Sequence, residues 1–286
     1  MSKSSRAAIF GLGVGAAHRQ AWLAEGFEIG YEQTLDSESG NLSDCGVASI
    51  ATYDDDHGSR AVALLRREFA VMVEKPLCLS LPELHEIAQL TRGQKNTLSC
   101  NFPLRFHSAF VKFRENIREV QSIYHIECDY EWGRMERLMG WRGRIPYSVS
   151  HGAGSHMMNL AAWLVGSRIE TVSAVGGGVP SGGCGKTMVS VTGRFENGVT
   201  FRSNLNCSFR GLHRHRVIAW GVDGPVSLFN TATTDKGAAV MDFARSIKNG
   251  TEPEITRREV LDTSSACFAI EKALGSGRTE RVWHLE

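Results

Sequence analysis

The sequence predicts an α/β protein, a Rossmann-type doubly wound parallel sheet followed by an α+β domain with a largely antiparallel open sheet. Three observations lead there. A glycine-rich turn at residue 11 joins an apolar strand to a helical pattern, strand and helix patterns then alternate to about residue 101, and 286 residues exceed what one small core needs. The division is expected at 101/102, with a dinucleotide-binding domain over 1–101 and a substrate-binding and oligomerisation domain over 102–286.

The first element is the stretch RAAIFGLGVGAAHRQAWLAEG. Ala7–Phe10 reads as a short strand, residues 11–16 as the turn, and Ala17, Ala21 and Leu23 as a helical face stopped by Gly26. The turn reads G-x-G-x-x-A. Gly11 permits the bend, Gly13 lets a pyrophosphate approach the backbone, and the small Ala16 allows close helix–strand packing under an anion-binding helix N-terminus. The alternative is a glycine-rich turn that holds nothing.

A second strand, FEIGYE, follows, and Glu32 stands near the offset of a ribose-binding acid, with Thr34 and Asp36 close by. QTLDSESGNLSDCG is then too short for a further helix and strand, so the adenosine side looks reduced. Next come a strand over Val47–Thr52, an acidic turn and a helix from about His57 to Arg67. Asp54–Asp56 suit an N-terminal cap better than a metal site. The apolar run Phe69–Val73, the helix SLPELHEIAQLT and the strand TLSCNF complete the sheet.

The run Phe69–Val73 ends in Glu74-Lys75-Pro76, at a strand end where doubly wound sheets bind ligands. A lysine there can hydrogen-bond a substrate hydroxyl and steady the alkoxide formed as hydride leaves. Pro76 fixes the turn, with a cis Lys75–Pro76 bond one way to do so, and Glu74 orients the lysine or faces the nicotinamide.

GLGVGAAH, ATYDDDH, MVEKPL and CNFPLRF, in that order, resemble the Gfo/Idh/MocA oxidoreductases, the glucose–fructose oxidoreductase and inositol dehydrogenase relatives, and the resemblance runs nearly end to end. Tyr130, Gly133-Arg134 and Gly140-Trp141-Arg142 look most like members that serve surface-sugar biosynthesis. The resemblance implies NAD or NADP as cofactor, held by Gly11, Leu12, Gly13, Val14, Ala16, Glu32, Thr52, Asp54, His57, Glu74 and Lys75. It also implies a homodimer or homotetramer formed through the outer face of the second sheet.

GSHMMNLAAWLVG reads as a helix capped by Ser155 and ended by Gly166. Its first turn carries His156, which matches the family's H-x-x-D histidine; the helix dipole there favours a neutral imidazole able to accept a proton. Two family carboxylates are replaced, by Gly152 and Asn159, which leaves Lys75 and His156 as the catalytic pair and His151 as a substitute. Arg105, Tyr130, Arg134, Trp141, Arg142 and Tyr147, with His151 and Asn159, are the candidate substrate residues, since guanidinium groups suit anions and flat rings suit sugars.

A formal charge of +1 gives no field to recruit nucleic acid, and no apolar run reaches a membrane span, so neither partner is expected. Seven scattered cysteines without a C-x-x-C pair suit reduced, mostly buried thiols in the cytoplasm and no metal. GGGVPSGGCGKT fails as a P-loop because Pro180 stands where the first glycine belongs. HRHR (213–216) puts both histidines on one strand face and both arginines on the other. The expected activity is hydride transfer between NAD(P) and a hydroxyl or carbonyl carbon of a sugar or nucleotide sugar. The alternatives are a non-catalytic sugar-binding or assembly subunit and a reductase of C=N or conjugated double bonds.

Overall fold

The structure is a computed structural model that describes residues 5–11, 13–133, 135–140, 148–180 and 184–285. It divides into two compact units, Met1–Pro103 with Asp235–Leu261, and Leu104–Thr234 with Asp262–His284. This differs from a single cut at 101/102, because residues 235–261 return to the first unit. The returning helix α7 (Ala238–Asn249) buries Ala239, Val240, Phe243 and Ala244. It packs against α1 (Gly15–Ala24), with Phe243 edge-on to Trp22 at 6.2 Å. An amphipathic pattern announces a buried face but does not say which core that face joins.

In the first unit the strands are β1 (Arg6–Phe10), β2 (Glu28–Gln33), β3 (Glu38–Gly40), β4 (Val47–Ile50), β5 (Ala70–Val73) and β6 (Leu98–Cys100). They lie in the order β3-β2-β1-β4-β5-β6, with every pairing parallel except β2–β3. The short polar segment after β2 folds back as the antiparallel edge strand β3 and one 3-10 turn, Leu42–Asp44, with no helix between them. β1 and β4 are the switch point of this order, so their carboxyl ends border the crevice where doubly wound sheets bind ligands. Trp22 is fully buried beneath the sheet and donates its indole N–H to Ser49 Oγ at 2.8 Å.

Two local expectations change. The close helix–strand contact is made by buried Gly15, where a Cβ would stand 3.4 Å from Ala51 Cβ and 3.5 Å from Ile9 Cγ2, while Ala16 is exposed. Helix α2 (His57–Leu65) has Asp56 at its N-cap position, yet the carboxylate caps nothing and instead takes Arg60 Nε at 2.6 Å. In contrast, α3 (Leu81–Leu90) does have a side-chain cap, with Ser80 Oγ accepting from the Glu83 amide.

The second unit contains α4 (Ser108–Arg118), β7 (His125–Glu131), α5 (Glu136–Met139), α6 (Ser155–Val165), β8 (Ile169–Gly177), β9 (Met188–Phe195), β10 (Thr200–Asn206), β11 (Arg214–Gly221), β12 (Gly224–Asn230) and β13 (Glu280–Arg281). The dividing point with the first unit falls within α8 (Arg257–Ser276). Its seven-stranded sheet runs β12-β11-β7-β10-β9-β8-β13 and is antiparallel except for β7–β10. One face buries Ile126, Cys128, Phe201, Leu205, Val217 and Ala219 in a core shared with Met157, Leu160 and Ala161 of α6.

The other face carries an ionic lattice. Arg216 donates to Asp129 and Arg202 to Glu127, and Trp220 gives its indole N–H to Glu127 at 3.0 Å. Burial pushes the Glu127 carboxyl up, but the Arg202 and Trp220 hydrogen bonds outweigh it and the group titrates below its ordinary value.

The helix carrying His156 starts earlier than expected. A π-helical turn, Ser150–Gly154, leads straight into α6, so Ser155 is interior and its hydroxyl donates back to Gly152 O at 3.2 Å. His156 therefore occupies no free first turn, and the dipole argument for its protonation state does not apply. Gly166 ends α6 as anticipated, left-handed at φ +69°. All seven cysteines are free and buried, and burial pushes the Cys128 and Cys267 thiols well up. Among the described residues no helix is long and apolar enough to cross a membrane.

Gly11 has φ +85°, and a Cβ there would lie 2.3 Å from Ala51 O. Gly11→Ala is expected to cost about 2 kcal/mol or more in urea unfolding. A loss below about 0.5 kcal/mol would show that the β1–β4 approach is not rigid.

Candidate functional site

The two glycines of the turn do different things. Gly11 is demanded by the fold itself, through its positive φ and its contact with Ala51. Gly13 is demanded by nothing in the chain: a Cβ there would have no atom within 4 Å. What a glycine provides at that position is room for something external. Val14 then starts α1 without a side-chain cap, and no acid stands in the first turn, so its amides meet no carboxylate of their own helix. An anionic pyrophosphate suits such an end.

Other groups border the same strand ends. Thr52 Oγ1, just past β4, is buried and has no hydrogen-bond partner. Glu32, in β2, holds Arg19 Nε at 2.8 Å through Oε1. A bare glycine, an uncapped helix start and an orphaned hydroxyl fit a dinucleotide. His57 and Asp54, expected to touch it, are both buried. His57 Nδ1 lies 2.7 Å from Pro76 O and Nε2 3.3 Å from Thr52 O, so this ring braces two strand-end turns and has no nitrogen left for a ligand.

The end of β5 separates two charges. Glu74 is drawn inward, where His18 Nε2 lies 3.1 Å and Asn101 Nδ2 2.6 Å from Oε1. Burial raises the Glu74 carboxyl, but the His18 hydrogen bond and the charges of His18, Lys75 and Lys236 prevail and hold it well below the usual carboxylate range. Lys75 follows, half-buried, before a cis peptide bond to Pro76. Among the described residues no side chain or carbonyl pairs with the Lys75 ammonium.

In the second unit, Tyr130 stacks on His215 at 4.4 Å and stands edge-on to His156 at 6.1 Å and to His213 at 6.4 Å. The two HRHR histidines share this aromatic face, while Arg214 and Arg216 pair with Glu131 and Asp129 on the other. Arg105 is buried, its guanidinium 5.4 Å over the Trp163 ring. Asn159 is buried too and donates to Thr263 Oγ1 at 3.2 Å. His151, in the π turn, packs edge-on to Phe268 at 4.5 Å, and the nearby Glu271 accepts from Ser148 Oγ. Leu12, Arg134, Trp141, Arg142 and Tyr147 lie outside the described residues. No group of three or more potential metal ligands occurs among the described residues.

His18, Asn101 and Lys236 in the first unit are not among the residues the sequence singles out, and His213 and His215 are singled out there only as sharing one strand face. The signal for His18 was its place one turn beyond Val14 on the buried side of α1. Asn101 was visible as the polar residue that ends an apolar strand, the position that Glu74 occupies on the neighbouring strand.

Comparison with known proteins bears on both units. A family model described as the oxidoreductase family with an NAD-binding Rossmann fold matches residues 3–102, and the GFO/IDH/MocA C-terminal domain model matches residues 118–227. The curated protein Oxidoreductase cns1 of Cordyceps militaris is 26% identical over 131 residues, a match that spans 43% of this chain and only 16% of that protein. Among solved structures, myo-inositol 2-dehydrogenase from Lactobacillus plantarum superposes with a TM-score of 0.85 at 15% identity, covering 98% of this chain and 100% of that one. Scyllo-inositol dehydrogenase from Lactobacillus casei, solved with NAD(H) and scyllo-inositol, gives 0.79 at 15% identity, covering 98% and 99%. GenD2 from gentamicin A biosynthesis, solved with NAD, gives 0.78 at 15% identity, covering 98% and 97%.

Burial pushes the His151 imidazole down to about 4, against an opposing pull from Glu271. The unfolded chain then takes up this proton first, so stability falls as pH drops from about 6.5 towards 4, by up to about 3 kcal/mol. Urea unfolding at pH 7 and pH 5 should show about 2 kcal/mol of that loss in the wild type and less of it in His151→Gln. An identical pH dependence in the variant would contradict the assignment.

Proposed function

The chain belongs to the GFO/IDH/MocA oxidoreductase family, and from that premise we propose that it moves a hydride between NAD(P) and a hydroxyl or carbonyl carbon of a sugar, cyclitol or nucleotide sugar. One observation carries the reading: the half-buried Lys75 has an ammonium without a protein partner among the described residues, at the carboxyl end of a strand in a doubly wound sheet. The dinucleotide supplies the hydride-carrying ring when bound.

The protein's part is binding and electrostatics. Bare Gly13 and the uncapped amides at the start of α1 receive the pyrophosphate. Glu32 takes a ribose hydroxyl through the carboxylate oxygen that Arg19 Nε does not hold. Lys75 hydrogen-bonds the substrate oxygen and stabilises the charge that develops on it. His156 is assigned the proton through its match to the family's H-x-x-D histidine. Neither family carboxylate is present to support it, since one position is Gly152 and the other is Asn159, whose amide is engaged with Thr263.

That replacement favours the second reading, a non-catalytic sugar-binding relative, which would bind ligand without turnover. Free, buried thiols suit a reducing cytoplasm, and the outer face of the seven-stranded sheet suits association into a dimer or tetramer.

Lys75→Ala should lower turnover of a cyclitol such as scyllo-inositol with NAD(P) by at least about a thousandfold, while leaving NADH affinity within about threefold. Unchanged turnover would remove Lys75 from the chemistry. Wild-type protein that binds NADH but turns over no member of a sugar and cyclitol panel would favour the second reading. Gly13→Val should leave thermal stability unaltered and weaken NADH binding by at least about tenfold in a fluorescence titration. Undiminished affinity would place the pyrophosphate elsewhere.

A further inference from the structure

We propose that His18 is a positioning residue: it clamps the Glu74 carboxylate away from Lys75 and so keeps that ammonium free for the substrate oxygen. The proposal relies on the reading above for what Lys75 does, but the clamp itself is independent of it.

His18 lies in the first full turn of α1, and its side chain is entirely buried. Its Nε2 meets Glu74 Oε1 at 3.1 Å. Asn101, also fully buried, brings its Nδ2 to 2.6 Å from the same oxygen, 3.0 Å from His18 Nε2 and 3.1 Å from Lys236 O. Three elements thus converge on one carboxylate: α1, the end of β6 and the segment leading into α7.

The network is not optimised for stability. His18 Nδ1 and Asn101 Oδ1 are both buried without a hydrogen-bond partner, an arrangement that a network built for stability alone would avoid. An imidazole retained only for packing would have both nitrogens satisfied or be replaced by an apolar side chain. What the arrangement achieves is to hold Glu74 from beneath. Without it, a carboxylate adjacent in sequence to a lysine at a half-exposed strand end would turn to neutralise that lysine. The clamp belongs to the same short helix whose start is shaped for an anion: His18 is four residues beyond Val14, one turn along.

The test compares His18→Gln, which keeps an N–H donor near the position of Nε2, with His18→Asn and His18→Leu, which do not. The first readout uses the protein without nucleotide: the acetylation rate of Lys75 by a succinimidyl acetate ester, followed by peptide mass spectrometry, with exposed Lys95 as internal reference. Loss of the clamp lets Glu74 pair with Lys75, so acetylation should slow at least threefold in His18→Asn and His18→Leu and stay at the wild-type rate in His18→Gln. Adding Glu74→Gln to His18→Asn should restore the rate, because no carboxylate remains to capture the ammonium.

The second readout is kinetic. The Asn and Leu variants should lose at least tenfold in kcat, with KM and NADH affinity within threefold, and His18→Gln should recover most of the loss. Equal labelling in the Gln and Asn variants, or no restoration in the double variant, would overturn the clamp. If His18→Leu does not fold, the Gln and Asn variants and the double variant decide. A wild-type chain that fails to bind NADH would overturn the dinucleotide reading and leave the labelling result valid on its own.

Discussion

The site turns on a carboxylate that is spent inside the protein so that its neighbour is not. Glu74 and Lys75 are consecutive at the end of β5, where opposite charges left alone would pair with each other. Instead the carboxylate is drawn beneath the strand end by His18 and Asn101, and the ammonium stays half-buried without a protein partner among the described residues. Desolvation works against the ionised carboxylate, and the hydrogen bond from His18 together with three nearby cationic groups overcomes it. A charge separation of this kind is unfavourable for the isolated fold and sensible only where something external completes it.

The rest of the first unit shows why that place was available. Parallel strands put their carboxyl ends on one edge, and the order β3-β2-β1-β4-β5-β6 opens a crevice between β1 and β4. Gly11 lets the turns after β1 and β4 come together, and Gly15 lets α1 settle on the sheet. Gly13, between them, answers to no packing demand. Two of the three glycines in this turn therefore serve a backbone approach and a helix contact, while the third faces open space, and only the structure says which is which. The second unit contributes a different surface, in which Tyr130 sits among three imidazoles on one side of the sheet and an Arg–Glu–Asp lattice covers the other.

Much of the first unit was legible in the chain. Short β-branched runs between turn signals announced its strands, and the glycine turn and Glu74-Lys75-Pro76 lie, as expected, at the carboxyl ends of β1 and β5. The polar run after Glu32 is too short for a further helix, as its length suggests, but contrary to expectation it does form a strand, β3. What stayed hidden was non-local. Nothing in residues 235–261 says that their apolar face belongs to the first core, and nothing near His18 announces a partner 56 positions later. The Ser155 cap was plausible by residue type but lost to a π-helical continuation, which removes the free amides that a cap would satisfy. Asp56 likewise had a cap's chemistry and position, but an arginine one turn ahead competed for its carboxylate and prevailed. His57 was legible as a site residue and proved to be a brace, because burial and two carbonyl neighbours cannot be read from a motif.

The most direct measurement is a crystal structure of the wild-type protein soaked with NADH. Pyrophosphate density is expected against the backbone of Gly13 and the first turn of α1, with the nicotinamide reaching the Lys75 ammonium while Glu74 keeps its contacts to His18 and Asn101. Dinucleotide density elsewhere on the chain, or Glu74 turned out to pair with Lys75 in the occupied site, would contradict it.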